Sequence, residues 1–355
     1  MMKAWEENIR RVVPYVPGEQ PQEQNVIKLN TNENPYPPAP GVRKAAEALD
    51  TDRMRLYPDP TNGALVDALA KRYGLEPEQV FVGVGSDDVL SMCFLTFFNG
   101  KKPVLFPDIT YSFYDVWADL YRIPYLCRAL TPDFKIRRED YFIPNGGIIF
   151  PNPNAPTGVY EPLELVEDIL KHNPDSIVIV DEAYIDFADG PSAVELLPKY
   201  ENLLVVQTFS KSRSMAGMRI GYAMGSKELI RALNDVKYSF NSYTMSQAAL
   251  ALGTEAVRDE TYFTECVEKI RTTRERAKKE LAAIGFTFPD SQSNFIFASH
   301  AKKPAAEIFS ELKKRGIYVR YFAKAKIDNY LRITVGTDEQ MDQLIAALKE
   351  ILEQV

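Results

Sequence analysis

The chain has 355 residues, 45% hydrophobic and 26% charged, with a formal net charge of -7. That length favours two domains and allows a sizeable core, and the composition excludes a disordered chain. The acidic balance excludes a nucleic-acid binder that works through a basic face, and the wide spacing of Cys93, Cys127 and Cys266 excludes a cysteine zinc site and leaves idle reduced thiols.

The stretch from Met1 to Tyr15 is polar and charged and lacks the apolar run of a signal peptide. No later segment has the length of an uncharged membrane span, so a cytoplasmic protein is expected. Asn34 to Pro40 is a short proline-rich extended piece. Helical patterns follow over 43–49 and 63–73. An apolar run over 79–84 leaves through glycines into a helical stretch over 87–98. A strand is predicted over 103–106 and a helix over 111–120. Three clearer strands cover 147–150, 177–180 and 203–207, with helical stretches between the first two. Each is apolar throughout rather than alternating, the pattern of a parallel sheet covered on both faces. The βαβ series predicts an α/β fold with a large, mostly parallel sheet flanked by helices.

Near residue 255 the character changes. A long charged helix over 255–284 is followed by strands over 293–298, 317–320 and 331–335 and helices over 304–315 and 338–352. This predicts a smaller α+β domain. The division expected is 31–255 for the large domain, with 1–30 and 256–355 forming the small one.

Three polar motifs begin where the buried strands end. Phe150 leads to Asn154, Val180 to Asp181 and Tyr184, and Gln207 to Thr208, Ser210 and Lys211. In a parallel sheet the carboxyl ends share one edge, where ligands bind. A carboxylate and a lysine at that edge suit pyridoxal 5'-phosphate (PLP), which takes an imine from a lysine and an acidic partner at its ring nitrogen. Taken singly, Asp181 also reads as a strand-exit cap and Lys211 as a solvated loop lysine. The turn Gly83-Val84-Gly85-Ser86-Asp87-Asp88 could offer backbone N–H groups to a phosphate, or be a plain strand–turn–helix corner. Asp88 stands where a dinucleotide fingerprint needs its third glycine. Ser210 and Arg219 could complete a phosphate site if the strand over 220–224 runs antiparallel. Arg320 and Arg332 lie in apolar strands, where a charge needs a partner, either an anionic substrate or a buried carboxylate. His172 and His300 are isolated, in a helix-end position and a polar loop, and make no metal cluster.

Together these motifs resemble the fold-type I PLP enzymes, and among them the histidinol-phosphate aminotransferases. The resemblance runs through Lys28-Leu29-Asn30-Thr31-Asn32-Glu33-Asn34-Pro35, Tyr57-Pro58-Asp59-Pro60, the turn of residues 83–88 and the stretch from Asn152 to Gly158. It continues through Asp181-Glu182-Ala183-Tyr184, residues 208–221 and residues 331–336. It implies that Lys211 carries the cofactor and shuttles the proton, and that Asp181 pairs with the ring nitrogen. Asn154 and Tyr184 would hold the ring oxygen, and Tyr111 would stack on the ring. Ser86, Asp87, Thr208, Ser210 and Arg219 would surround the phosphate, with Tyr57 reaching it from the second subunit of a homodimer. Tyr15, Arg320 and Arg332 would meet the substrate's anionic group, with Asn154 also at the substrate. The implied substrates are histidinol phosphate and glutamate or 2-oxoglutarate. The sequence departs from the family pattern at Asp88, where a glutamate is expected.

Other activities on the same scaffold are open at this point, namely an aromatic or broad-range amino-acid aminotransferase and a phospho-amino-acid decarboxylase. An NAD-binding oxidoreductase lacks its third glycine and its ribose-binding acid. A non-enzymatic binding module using the same pocket predicts that Asp181→Ala leaves function untouched.

Overall fold

Each apolar run of the first two hundred residues becomes a strand whose two faces are both covered, and these strands pair into one large sheet. The computed structural model describes residues 3, 5–23 and 25–353. Residues 1, 2, 4 and 24 of the segment expected in the small domain, and residues 354 and 355, lie outside the described residues. In chain order the elements are β1 (Ile27–Leu29), α1 (Pro40–Glu47), α2 (Gly63–Tyr73), β2 (Val80–Gly83), α3 (Gly85–Phe97), β3 (Val104–Pro107), α4 (Tyr114–Tyr121), β4 (Tyr125–Arg128), β5 (Gly147–Pro151), α5 (Leu163–His172), β6 (Val178–Asp181), β7 (Leu203–Thr208), β8 (Gly221–Gly225), α6 (Lys227–Phe240), α7 (Gln247–Arg258), α8 (Glu260–Ala283), β9 (Phe286–Thr287), β10 (Phe295–His300), α9 (Ala305–Lys314), β11 (Ile317–Tyr321), β12 (Leu331–Thr334) and α10 (Asp338–Glu353).

The seven-stranded sheet has the order β2-β8-β7-β6-β5-β3-β4. The pairs β4–β3, β3–β5, β5–β6 and β6–β7 are parallel, and β8 runs antiparallel to both β7 and β2. Side chains of the inner strands alternate between two cores, while the edge strand β4 exposes Leu126 and Cys127. Ile149, Ile179 and Val206 pack with α3, α4 and α6, while Ile148, Val178 and Val205 pack with α2, α5 and α7. Burial on both faces is why these strands read as continuous apolar runs.

The second sheet has the order β1-β11-β12-β10-β9. β1 pairs in parallel with β11, which carries the chain from residue 27 into the company of strands nearly 300 positions later. Helices α8, α9 and α10 bury Ile270, Ile308 and Leu344 against this sheet.

Three expectations need correction. The helix expected over 255–284 is two helices, because Asp259 leaves the helical region (φ -95°, ψ 76°) and its carboxylate accepts the Tyr262 N–H at 3.1 Å. No proline or glycine marks that break, so the pattern ran through it. The strand expected from residue 293 starts at Phe295, since the Ser291 and Ser293 hydroxyls turn onto the Phe295 carbonyl instead. His300 therefore ends β10 and is buried against Phe286 rather than lying in a loop. His172 is exposed at the end of α5, as expected, and stacks on Phe142. The short strands β1, β4 and β9 carried too little pattern to be separated from loops, whereas the helix α6, amphipathic and capped by Ser226, was legible and was missed.

Candidate active site

The carboxyl ends of β5, β6 and β7 fall in register at one edge, with Pro151 beside Asp181 and Asp181 beside Val206. Because β8 is antiparallel, its first residue, Gly221, sits beside Thr208 and Gly83 at that same edge. The topology thus gathers Asn154, Asp181, Tyr184, Thr208, Ser210, Lys211 and Arg219 from separate segments. A cavity of about 510 Å³ opens there, lined by all of these except Asn154, together with Ser86, Asp87, Tyr111 and Tyr15. Asn154 is buried beside it.

Asp181 ends β6 with little exposure. Its Oδ2 accepts the Tyr114 hydroxyl at 2.8 Å and its Oδ1 accepts the Ala183 N–H at 3.3 Å. Burial pushes this carboxyl up to about 6, against the Tyr114 hydrogen bond. Lys211 lies across the cavity, with its Nζ donating to the Thr31 carbonyl at 3.1 Å and lying 5.9 Å from the Tyr184 ring centroid. Burial first, and then the positive charge of Arg332, lower this ammonium to about 8. A lysine held there keeps an appreciable unprotonated fraction near neutrality and is a competent nucleophile and base.

Ser86 and Asp87 occupy the first turn of α3, whose leading N–H groups have no side-chain cap. Close approach is built in by glycine. A Cβ on Gly85 would meet Arg219 Nη2 at 2.4 Å, and one on Gly221 would meet the Ser86 nitrogen at 2.3 Å. Arg219 sits in the left-handed region (φ 51°) and turns back over the helix end. Its guanidinium reaches Ser210 Oγ and Asp87 Oδ2, each at 3.3 Å, and Asp87 also accepts the Tyr111 hydroxyl at 2.6 Å. Thr208 Oγ1 donates to Ser210 Oγ at 3.0 Å. Helix N–H groups, two hydroxyls and a guanidinium make an anion cradle. Asp88, the departure from the family pattern, closes this turn by accepting the Val84 N–H at 2.9 Å.

Asn154 gives both amide hydrogens away, to the Ile109 carbonyl at 3.1 Å and Thr157 Oγ1 at 2.9 Å, and its buried Oδ1 has no partner. The Tyr184 hydroxyl accepts from Asn32 Nδ2 at 2.9 Å.

A second, smaller pocket that shares Tyr15, Tyr111 and Ala155 with this cavity is lined by Arg320, Phe322 and Arg332. Arg320 and Arg332 face each other in the β11–β12 register. Among the described residues neither has a carboxylate partner. Arg332 Nη2 donates to the Asn30 carbonyl at 3.1 Å, its buried Nε has no partner, and its guanidinium stands 5.4 Å from the Phe295 ring. Arg320 donates to the Val16 and Pro17 carbonyls at 3.2 and 3.4 Å. The buried ion pair open at the sequence level is therefore not what holds them. Two like charges side by side with a free donor suit a mobile anion.

The structure does not bring Tyr57 to the cavity of its own chain. Tyr57 is 80% exposed and stacks on Tyr243 at 4.6 Å. Sequence reasoning missed Tyr114, whose hydroxyl bears on Asp181. Its spacing of one turn from Tyr111 was the available signal. It also gave no role to Thr31 and Asn32, which touch Lys211 and Tyr184.

A profile of the family described as aminotransferase class I and II matches residues 24–348. The chain belongs to that family. It is an enzyme, a transaminase. It is 52% identical over 353 residues to histidinol-phosphate aminotransferase 1 of Hydrogenovibrio crunogenus, covering 99% of both chains. It is 50% identical over 352 residues to the histidinol-phosphate aminotransferase of Clostridium acetobutylicum, covering 99% of this chain and all of that one. Among solved structures it superposes on the histidinol-phosphate aminotransferase of Sinorhizobium meliloti in complex with pyridoxal 5'-phosphate. That match has a TM-score of 0.84 and 26% identity, over 92% of this chain and 91% of the other.

The residues present fit PLP. An amine of lowered pKa, a buried carboxyl, an aromatic wall at Tyr111 and an anion cradle converge on one cavity of suitable size.

Proposed function

We propose that this transaminase moves the amino group of L-histidinol phosphate to 2-oxoglutarate, in histidine biosynthesis. Its cofactor is PLP. The observation that carries the substrate reading is the pair Arg320 and Arg332, free of any carboxylate partner among the described residues, in the pocket that adjoins the Lys211 cavity at Tyr15 and Tyr111. The names of relatives about half identical over the whole chain point the same way.

When bound, PLP supplies an electrophilic carbon for amines and a ring that takes up an electron pair. Lys211 Nζ would hold that carbon at rest and would serve as the base and acid that moves the substrate's proton. Asp181 would face the ring nitrogen and, ionised opposite that cation, would hold its proton in place. Tyr184 and Asn154 would lie at the ring oxygen, with Tyr184 as donor, and Tyr111 would lie against the ring. The first turn of α3 at Ser86 and Asp87 holds the phosphate with Thr208, Ser210 and Arg219. Tyr15, Arg320 and Arg332 receive the phosphate of one substrate and the carboxylate of the other in turn, since a guanidinium fork fits both.

We further take the protein to be a cytoplasmic homodimer with a shared site, divided into domains of 31–255 and of 1–30 with 256–355. The dimer reading rests on Met54, Tyr57 and Phe240, exposed by 63%, 80% and 73%. A second copy would cover this apolar surface and let Tyr57 reach the neighbouring phosphate cradle. Among the described residues no helix is long and apolar enough to cross a membrane.

The deciding experiment follows the visible absorption of the purified, PLP-loaded protein. Loss of the band on adding L-histidinol phosphate, with recovery on adding 2-oxoglutarate, is expected. A band that answers only to phenylalanine or tyrosine moves the function to an aromatic aminotransferase. Release of carbon dioxide moves it to a decarboxylase.

A further inference from the structure

Tyr184 is useful to a ring oxygen only if its single hydrogen points into the cavity. A phenol is one donor and an acceptor, so its direction is set by whatever its oxygen already accepts. Here that partner is Asn32, which is 1% exposed and whose Nδ2 donates to the Tyr184 oxygen at 2.9 Å. The Asn32 amide is not free to turn over. Its Oδ1 accepts the Thr334 hydroxyl at 3.1 Å, and that hydroxyl in turn accepts the Asn32 backbone N–H at 3.0 Å. The Thr334 oxygen thus takes the backbone hydrogen and must give its own to Asn32 Oδ1, which leaves Nδ2 for Tyr184. The Asn32 carbonyl is also held, by Asn294 Nδ2 at 3.0 Å. Asn32 has a left-handed backbone (φ 57°), a conformation asparagine tolerates better than most residues.

We infer that Asn32, locked by Thr334 of β12, is a positioning residue that fixes Tyr184 as a hydrogen donor toward the cofactor ring oxygen. The chain of bonds runs from the small sheet to the edge of the large one. The segment that carries it touches the rest of the site as well. The Asn30 carbonyl holds Arg332, the Thr31 carbonyl holds Lys211, and Asn34 Nδ2 donates to the Lys211 and Ser212 carbonyls at 3.2 and 3.1 Å. One extended segment therefore indexes the substrate end of the cavity to the cofactor end. The inference rests on the reading that Tyr184 faces the ring oxygen.

The test is a pH titration of the visible absorption of the PLP-loaded protein. A donor at the ring oxygen favours the more negative, deprotonated chromophore, so losing it raises the midpoint. The other charges near Tyr184 are Asp181, Asp87, Arg332 and Lys211, which stay in place in every variant, and Asn32→Asp adds one carboxylate to them. Tyr184→Phe is expected to raise the midpoint by about one unit, the size of an ordinary hydrogen-bond effect. Asn32→Asp replaces the amide donor by an acceptor, draws the Tyr184 hydrogen away from the cavity and should raise the midpoint similarly. In the Tyr184→Phe background Asn32→Asp should raise the midpoint by clearly less, because only its added charge and no longer the phenol then acts. An equal shift in both backgrounds overturns the inference, as does no shift in either. If Tyr184→Phe alone leaves the midpoint unmoved, it is the reading of Tyr184 that fails. Should Asn32→Asp not load the cofactor, Thr334→Val frees the amide at nearly constant volume and supplies the same comparison.

Discussion

At the edge of the large sheet the charged groups around the cofactor cavity already hold one another. Asp87 is tied to Arg219 and Tyr111, Asp181 takes the Tyr114 hydroxyl, and Lys211 rests on the Thr31 carbonyl. At the small sheet Arg320 and Arg332 stand side by side with carbonyl partners and aromatic rings, and Arg332 Nε has no partner. The contrast follows what each end must do. A resident cofactor is bound once, so its cradle can be completed internally. On the function proposed above, the far end would take and release two anions in each cycle, and an internal carboxylate there would compete with both.

The contrast breaks most sharply at Lys211. Lys211→Ala should lower turnover with L-histidinol phosphate by about 10⁴-fold or more, the upper range for a proton-transfer group, measured as a single-turnover rate. Turnover near that of the unaltered protein would remove the lysine from the chemistry. Asp181→Asn should cost about 10²- to 10³-fold in kcat, since it removes the charge opposite the ring nitrogen while keeping the shape. At the other end the loss should fall on binding. Arg332→Lys should lower kcat/KM for L-histidinol phosphate by about 100-fold, mostly through KM, because an ammonium lacks the fork. Arg320→Lys, at the outer edge, should cost about tenfold on the same ground. If Arg332→Lys lowers kcat alone, the division between the two ends is wrong.

Smaller effects sharpen the picture of the cofactor end. The lysine ammonium is lowered to about 8, so capture of PLP by the cofactor-free protein should quicken about tenfold per pH unit below that value and level off above it. A stopped-flow series in pH reads this directly. Glu182, next to Asp181, is buried and pushed up to about 7 from an ordinary 4.5. Its folded value lies above its unfolded one, so its contribution to stability is complete below about pH 4.5 and is lost as pH rises through 7. Glu182→Gln should therefore flatten the stability curve of the cofactor-free protein in that window, by on the order of 3 kcal/mol in urea unfolding. An unchanged pH slope would place the titration elsewhere.

Much of this architecture was legible before folding. The continuous apolar runs at β5, β6 and β7 announced a sheet buried on both faces, and the polar residues just after them announced one functional edge. The helix break at Asp259 was not legible, because its cause is a carboxylate turned onto a backbone N–H rather than a proline or glycine. Nor were β1 and β4 legible. β1 has three residues, and its reason for being a strand is its neighbour β11, far along the chain. The identities of Lys211, Asp181 and Arg332 showed in their motifs, but Tyr114 and Asn32 did not, since their importance lies in what they touch.

The sequence by itself determined the chemistry on offer, because amine, carboxyl and guanidinium groups bring their reactivity wherever they are placed. It also determined the class of fold, because apolar period and strand length constrain the sheet. Only the tertiary structure decided which groups are paired and which are free. The antiparallel return of β8 brings Arg219 to the helix end, and the pairing of β11 with β12 sets two arginines together without a carboxylate. Burial, which raises Asp181 and lowers Lys211, is likewise a property of surroundings assembled from distant segments.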